Sequence, residues 1–195
     1  MKVDMEKGTL GYIDSYKKRY GLYIAGLALA IVISALVVYF IFGTLKHIAV
    51  LIPVILALPF AKILVLWLIV AKFHSMDTEE GTLIQERLEN RRNCTLLFDM
   101  ALSAYEAVSF ASCLIIDQGN IYLLWGGSND KKFSQEQQRD YVQDIVRKTG
   151  YQDFQVFTYT DLNELIEDIE AAPVADGDLS VQCDRLKQRM LDVCV

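Results

Sequence analysis

Histidine is scarce in this chain. Its two copies, His47 and His74, fall at the margins of two long apolar stretches, so no Ser–His or Cys–His pair can assemble within the charged remainder of the sequence. Cysteine is limited to Cys94, Cys113, Cys183 and Cys194. They are widely spaced with no histidine among them, which does not fit a zinc site of the paired-cysteine kind. No glycine-rich phosphate loop with its lysine follows a candidate strand; Gly126-Gly127-Ser128 reads as the exit of a hairpin. Clustered positive charge is also missing from the second part of the chain. Residues 73–195 hold 11 basic and 22 acidic residues, a net −11, and this argues against a nucleic-acid partner. The expectation from these absences is no catalytic residue, no cofactor site and no metal site.

What is abundant is hydrophobicity. Of 195 residues 53% are apolar, and the mean hydropathy is +0.25 although 23% are charged. The apolar residues are concentrated in residues 22–43, which carry no charge, and residues 48–71, whose one charge is Lys62. A bilayer core needs about 20 apolar residues in a helix, so each run is long enough to span. The first run ends in Phe40-Ile41-Phe42 rather than in small residues, so it reads as an anchor and not as a cleaved signal peptide.

Residues 1–72 hold 8 basic and 3 acidic residues, a net +5. The basic ones flank the spans: Lys2, Lys7, Lys17, Lys18 and Arg19 before the first and Lys72 after the second, against Lys46 alone in the turn at 43–47. The positive-inside rule then predicts a two-span protein of the cell membrane with both termini in the cytoplasm. Lys17, Lys18 and Arg19 would meet anionic headgroups at the membrane surface, and the cysteines would be reduced thiols.

A turn that short makes the two spans antiparallel neighbours. Small residues let helices approach in lipid, and Gly26, Ala30 and Ser34 recur every four residues, as do Ala49, Pro53, Ala57 and Ala61. With facing residue numbers summing to roughly 91, Ser34 meets Ala57 and Ala30 meets Ala61, which predicts a small-residue packing seam with Lys62 beside it. A lysine at this depth costs at least ~2.5 kcal/mol, and neither span holds an acid to pair with it. Pro59 leaves the Ile55 carbonyl without its helical donor. Three outlets stay open for Lys62: a tilted span in a thinned leaflet, a carboxylate on another membrane subunit or within a homo-oligomer, or an ion path.

After the spans, Asp77 is an N-cap for a helix to about residue 92 with Leu83, Ile84 and Leu88 inside. From Cys94 to Ser103 the pattern alternates, a strand with one buried face. Two β-rich runs at 108–116 and 121–125 flank Asp117-Gln-Gly-Asn120, a hairpin. Ser134 and Gln137 form a capping box, and Tyr141, Val142, Ile145 and Val146 are the inner side of a helix ended by Gly150. A strand at 154–159 and a helix capped by Thr160 follow. Glu164, Glu167, Asp168 and Glu170 read as a solvated face. Residues 171–178 are a linker, and 179–195 an amphipathic helix that either docks on its own domain or meets another chain. The predicted fold class is α+β: a two-helix transmembrane hairpin (21–73), preceded by a juxtamembrane segment (1–20) and followed by a cytoplasmic α-β-β-β-α-β-α domain (77–172), then linker and tail helix (173–195).

The order helix–strand–strand–strand–helix–strand over residues 78–160 resembles the core of the restriction-endonuclease-like superfamily. That resemblance implies a divalent metal held by an acid on the second strand, where Asp117 stands, and by an acid-x-Lys on the third. The third strand here, Ile121-Tyr-Leu-Leu-Trp-Gly-Gly127, carries neither, so the implied nuclease is degenerate. In layout the whole chain resembles small two-span bacterial membrane proteins, some labelled O-linked GlcNAc transferase-like; helical repeats and a sugar-nucleotide motif are both missing from it. The functional expectation is a membrane-anchored, non-catalytic interaction or scaffold protein with the bilayer and another membrane subunit or its own copies as partners. The alternatives are an enzyme with a site around Asp99, Asp117 and Trp125, and an accessory subunit of a membrane transport complex.

Overall fold

A long apolar run placed in lipid must satisfy its backbone hydrogen bonds within itself, which a helix does, and both apolar runs are helical in a computed structural model of the chain. The structure describes residues 6–42, 51–89, 91, 94–103, 107–117, 119–128, 130–131, 133–151, 153–172 and 180–194. Helices α1 (Tyr12–Phe42) and α2 (Leu51–Val70) are followed by α3 (Thr78–Leu88), β1 (Thr95–Ser103), β2 (Val108–Asp117), β3 (Asn120–Ser128), α4 (Gln135–Lys148), β4 (Gln155–Tyr159), α5 (Leu162–Ala171) and α6 (Ser180–Val193). The fold class is α+β, as the sequence predicts. The expected turn at 43–47 and most of the linker at 171–178 lie outside the described residues.

The chain divides into two compact units, residues 14–72 and residues 1–13 with 73–195. The expected juxtamembrane segment 1–20 is therefore split, because residues 6–13 belong to the sheet unit.

Both helices of the first unit are long and apolar enough to cross a membrane. Their least exposed positions recur at helical spacing: Leu27, Ile31, Ser34 and Val38 on α1, and Pro53, Ala57, Phe60 and Leu64 on α2. Gly26, Ala30 and Ala61 are exposed, and a Cβ built on Gly26 would meet nothing within 4 Å. Of the residues expected in the seam, Pro53 is buried, Ser34 and Ala57 are half-buried, and Gly26, Ala30 and Ala61 are exposed; Ala49 lies outside the described residues. Lys62 is exposed as well. Two residues beyond Phe60 it is turned by about 200°, so it lies on the far side of α2 and not beside the seam. Near the other end the Trp67 indole N–H donates to the Lys17 carbonyl at 3.1 Å, while the Lys17 ammonium pairs with Asp14 at 2.8 Å. Tyr16 and Tyr20 stack at 4.1 Å. Lys18 and Arg19 remain exposed.

In the second unit, β1, β2 and β3 form an antiparallel meander and β4 joins β3 in parallel, giving the order β1-β2-β3-β4. The parallel step requires a crossover, and α4 supplies it. Val142, Ile145 and Val146 of α4, with Cys183, Leu186 and Met190 of α6, cover one face of the sheet. Ile84 and Leu88 of α3, with Leu165 and Ile169 of α5, cover the other. The tail helix docks on its own domain through the stripe that the sequence marked. Leu83, expected inside, is 38% exposed; Gly81 is the buried neighbour, pressed on by Leu10. The cap of α5 is Asp161, which accepts from Asn163 and Glu164, and not Thr160. Ser134 and Gln137 form the expected capping box, and the hairpin closes with Asp117 opposite Asn120.

The alternation in β1 does not make one buried face. Leu96 and Phe98 belong to the α3/α5 side, whereas Met100 and Leu102 belong to the α4/α6 side. The phase changes at Asp99, whose φ is +54°, and on the neighbouring strand it changes at Ser112, where the β2–β3 register shifts between Ala111 and Cys113. A left-handed residue on one strand and a bulge beside it on the next keep Phe98 opposite Cys113 and Met100 opposite Ala111, so both strands exchange faces at the same level. Gly126 lies against this kink. A Cβ there would come 2.4 Å from the Phe110 ring and 2.6 Å from the Ser112 hydroxyl. Gly126→Ala is therefore expected to cost about 1–3 kcal/mol, the usual penalty for overpacking, read as a lower denaturation midpoint. An unchanged midpoint would mean that the kink is pliable.

Both sheet edges are occupied, as edge strands in stable proteins generally are. On β1, Phe98 N–H donates to the Gly8 carbonyl at 2.9 Å and Leu102 bridges to Cys194. On β4, the Gln143 side chain donates to the Phe154 carbonyl at 2.9 Å and accepts from Val156 N–H at 3.2 Å. Gly8 has φ +83°, and a Cβ on it would meet Leu97 at 2.8 Å, so only glycine brings the N-terminal turn segment this close to β1.

Candidate functional site

Asp99 and Asp117 are the buried acids of the domain, with 0% and 2% of their surface exposed. Asp tolerates left-handed backbone better than most residues, and at φ +54° Asp99 leaves the β1 ladder and turns its carboxylate toward two incoming segments. Ile13 N–H donates to Oδ2 at 3.4 Å and Met76 N–H donates to Oδ1 at 3.0 Å; the Ser75 side chain and the Gly11 backbone also bond to this carboxylate. Gly11 and Ile13 stand at the start of α1, where backbone donors have no intrahelical acceptor. A negative group there is favoured by the helix dipole. β1 thus gathers two segments of its own unit that are remote from it in sequence, residues 11–13 and 75–76, on one carboxylate. Burial raises the Asp99 pKa, and the four hydrogen bonds act in the opposite direction. The N-terminal leg is also tied to the end of the chain, since the Lys7 ammonium donates to the Cys194 carbonyl at 2.8 Å.

Asp117 stands at the end of β2, and Arg91, just beyond α3, reaches over it. One guanidinium nitrogen is bonded to Asp117 Oδ2 and the other donates to the Ala172 carbonyl at 2.8 Å at the end of α5. Asp117 Oδ1 has no hydrogen-bond partner among the described residues. Burial raises the Asp117 pKa and Arg91 opposes that rise. Beside it, burial pushes the Cys94 thiol up to about 12, with the Asp117 charge adding to the effect. Cys113 and Cys194 are raised by burial too. None of the four cysteines is in a disulfide. Cys94, Cys113 and Cys194 are held as neutral thiols, which are poor nucleophiles and poor metal ligands at neutral pH.

The three residues grouped in the sequence as a possible enzyme site do not converge. Asp99 lies level with Ser112, and Asp117 is five residues further along β2, about 17 Å away at strand spacing. Trp125 is half-buried and stacks on Phe133 at 6.4 Å. The acid expected at a metal position, Asp117, is instead bound to a guanidinium, and no cluster of three metal-ligating side chains occurs among the described residues. The donor set does not fit the divalent metal that the nuclease-like order implies.

Sequence reasoning singled out both acids but missed their partners. Arg91 read as the end of a helix, and nothing local marks Gly8, Ile13 or Met76 as neighbours of β1. These contacts join residues 23 to 90 positions apart. Comparison with protein-family models, curated proteins and solved structures gives no match.

Proposed function

We propose that this chain is a membrane-anchored interaction protein. In this reading α1 and α2 cross the cell membrane as a hairpin with both termini in the cytoplasm, and the acidic sheet domain works there through protein contacts and not through catalysis. The observation that carries it is the Asp99 clamp. Ile13 and Met76, which precede and follow the apolar stretch in sequence, are both bonded to one carboxylate on β1. The positive-inside rule supports the cytoplasmic placement through Lys18, Arg19 and Lys72, and the domain's net −11 keeps it off anionic lipid. The exposed Lys62 on α2 favours a second membrane subunit as the partner, which also accommodates an accessory role in a transport complex.

The chain is expected to resist carbonate extraction. Lys46→Cys should react with a membrane-impermeant maleimide added outside intact cells, and Glu86→Cys only after permeabilisation. Labelling of both positions from one side would overturn the topology, and release by carbonate would overturn the anchoring itself.

A further inference from the structure

The far side of α2 exposes Leu51, Ile55, Leu58 and Val65, each more than half exposed, and Lys62 completes the series. The spacing 51-55-58-62-65 alternates four and three, the rhythm with which one helix seats along another in a membrane. Lys62 lies 11 residues from Leu51 and 8 from Val70, about 16 and 12 Å along the axis. Its side chain leans toward the N-terminal end of α2, the longer way out. No aspartate or glutamate occurs between Asp14 and Asp77; Asp14 lies in the first turn of α1 and pairs with Lys17, so the apolar stretches themselves hold no carboxylate for the ammonium. A second copy of the chain brings none either, and would set two ammonium groups at one depth.

We propose that this face of α2 binds a transmembrane helix of a different protein, and that the helix carries a single aspartate or glutamate level with Lys62. The inference rests on the reading that α2 spans the bilayer. An ionised side chain at the centre of a span is stable when paired with an opposite charge, and the flanking Ile55, Leu58 and Val65 exclude lipid headgroups and water from the pair. The pair selects against self-association, because only a heterologous helix supplies the missing charge.

The test is photo-crosslinking in native membranes from a photoreactive residue at Leu58 or Val65, with Leu64 on the opposite side as control. The expected result is a discrete adduct from positions 58 and 65 whose mass differs from twice the 22.1 kDa of the chain. Lys62→Met should reduce it by at least about tenfold, Lys62→Arg should retain it, and all variants should stay carbonate-resistant. Mass spectrometry of the adduct should find an acid in the partner's span, and exchanging the charges (Lys62→Glu with that acid replaced by lysine) should restore the adduct. An adduct between two copies, an adduct indifferent to Lys62→Met, no adduct, or a partner span without an acid would each overturn the proposal. Release of the unaltered chain by carbonate would instead overturn the spanning reading on which it rests.

Discussion

Arg91→Ala is expected to destabilise the sheet domain by about 3–5 kcal/mol, the usual cost of leaving one member of a buried ion pair without its partner. Asp117 is 2% exposed and the Arg91 side chain 12%, so neither charge is bathed in solvent when the other is removed. The truncation also leaves the Ala172 carbonyl without its donor at 2.8 Å. Against a total stability of about 5–15 kcal/mol for a typical domain, the variant stands near its unfolding threshold at neutral pH.

The loss should depend on pH in a defined direction. Burial raises the native pKa of Asp117 and Arg91 holds it back; without Arg91 the native value rises further. Between the unfolded value, about 3.9, and that raised value the native state binds more protons than the unfolded state, so stability falls as pH rises. Asp117 therefore contributes its full share below the unfolded value and loses it as pH climbs through the native one. The deficit of Arg91→Ala should be widest at neutral pH and should narrow in acid, where the carboxyl is neutral. Denaturant titrations of the full chain in micelles at several pH values read this directly. A deficit of constant size would show that Asp117 is not the group left unpaired. Replacing both partners, Arg91→Met with Asp117→Leu, should recover most of the loss, because two apolar groups leave no charge buried.

Asp99→Ala is expected to be as damaging, by another route. It leaves the Ile13 and Met76 amides buried without an acceptor, at about 1–3 kcal/mol each, and requires alanine to hold φ +54°, which costs a further ~1–2 kcal/mol. The total is on the order of 4 kcal/mol. Asp99→Asn should lose less than half of that, since asparagine tolerates the left-handed region and keeps one carbonyl oxygen. Hydrogen exchange separates this clamp from a general loss of packing. The amides of Ile13, Met76 and Phe98 should exchange faster in Asp99→Ala, while those of Leu123 and Val146, in the core on the other side of the sheet, keep their relative protection. Uniform acceleration would mean that Asp99 supports the fold as a whole and does not fasten these two segments. The acid also has a pH signature of the same sign as Asp117: its native pKa is raised by burial, so its contribution is lost as pH rises, and that part of the pH dependence should disappear in Asp99→Asn.

These two acids show how far local pattern reaches. Asp99 stood out in the sequence as a charge on a half-buried strand, a signal that needs only the two-residue period of β structure, whereas Asp117 was read in the hairpin turn and singled out by the nuclease-like order of elements. Their roles depend on Arg91, Ile13 and Met76, which reach them through chain reversals that no local window contains. The β1 run from Cys94 to Leu102 makes the same point. Its apolar alternation predicted a strand, and a strand is there. The assignment of every apolar residue to one face failed, because a left-handed residue at Asp99 paired with a bulge at Ser112 exchanges the faces of both strands, and only the neighbouring strand reveals that compensation. The tail helix was the reverse case: its stripe of Cys183, Leu186 and Met190 was legible, and the choice between its own sheet and another chain was open until the sheet face was in view.

By itself, then, the sequence determined what short-range physics determines: two helices apolar enough to cross a membrane, the order of the α+β domain, most of its caps, and the lack of any acid near Lys62. Tertiary structure alone decided which side of each element is covered. It turned Gly26, Ala30, Ala61 and Lys62 away from the least exposed faces of the helices and brought the two segments flanking them to one carboxylate. It also gave Asp117 an arginine as its partner. The reason is that helical and strand periods fix which residues share a face within one element, whereas the neighbour that covers that face is chosen by packing among segments far apart in the chain.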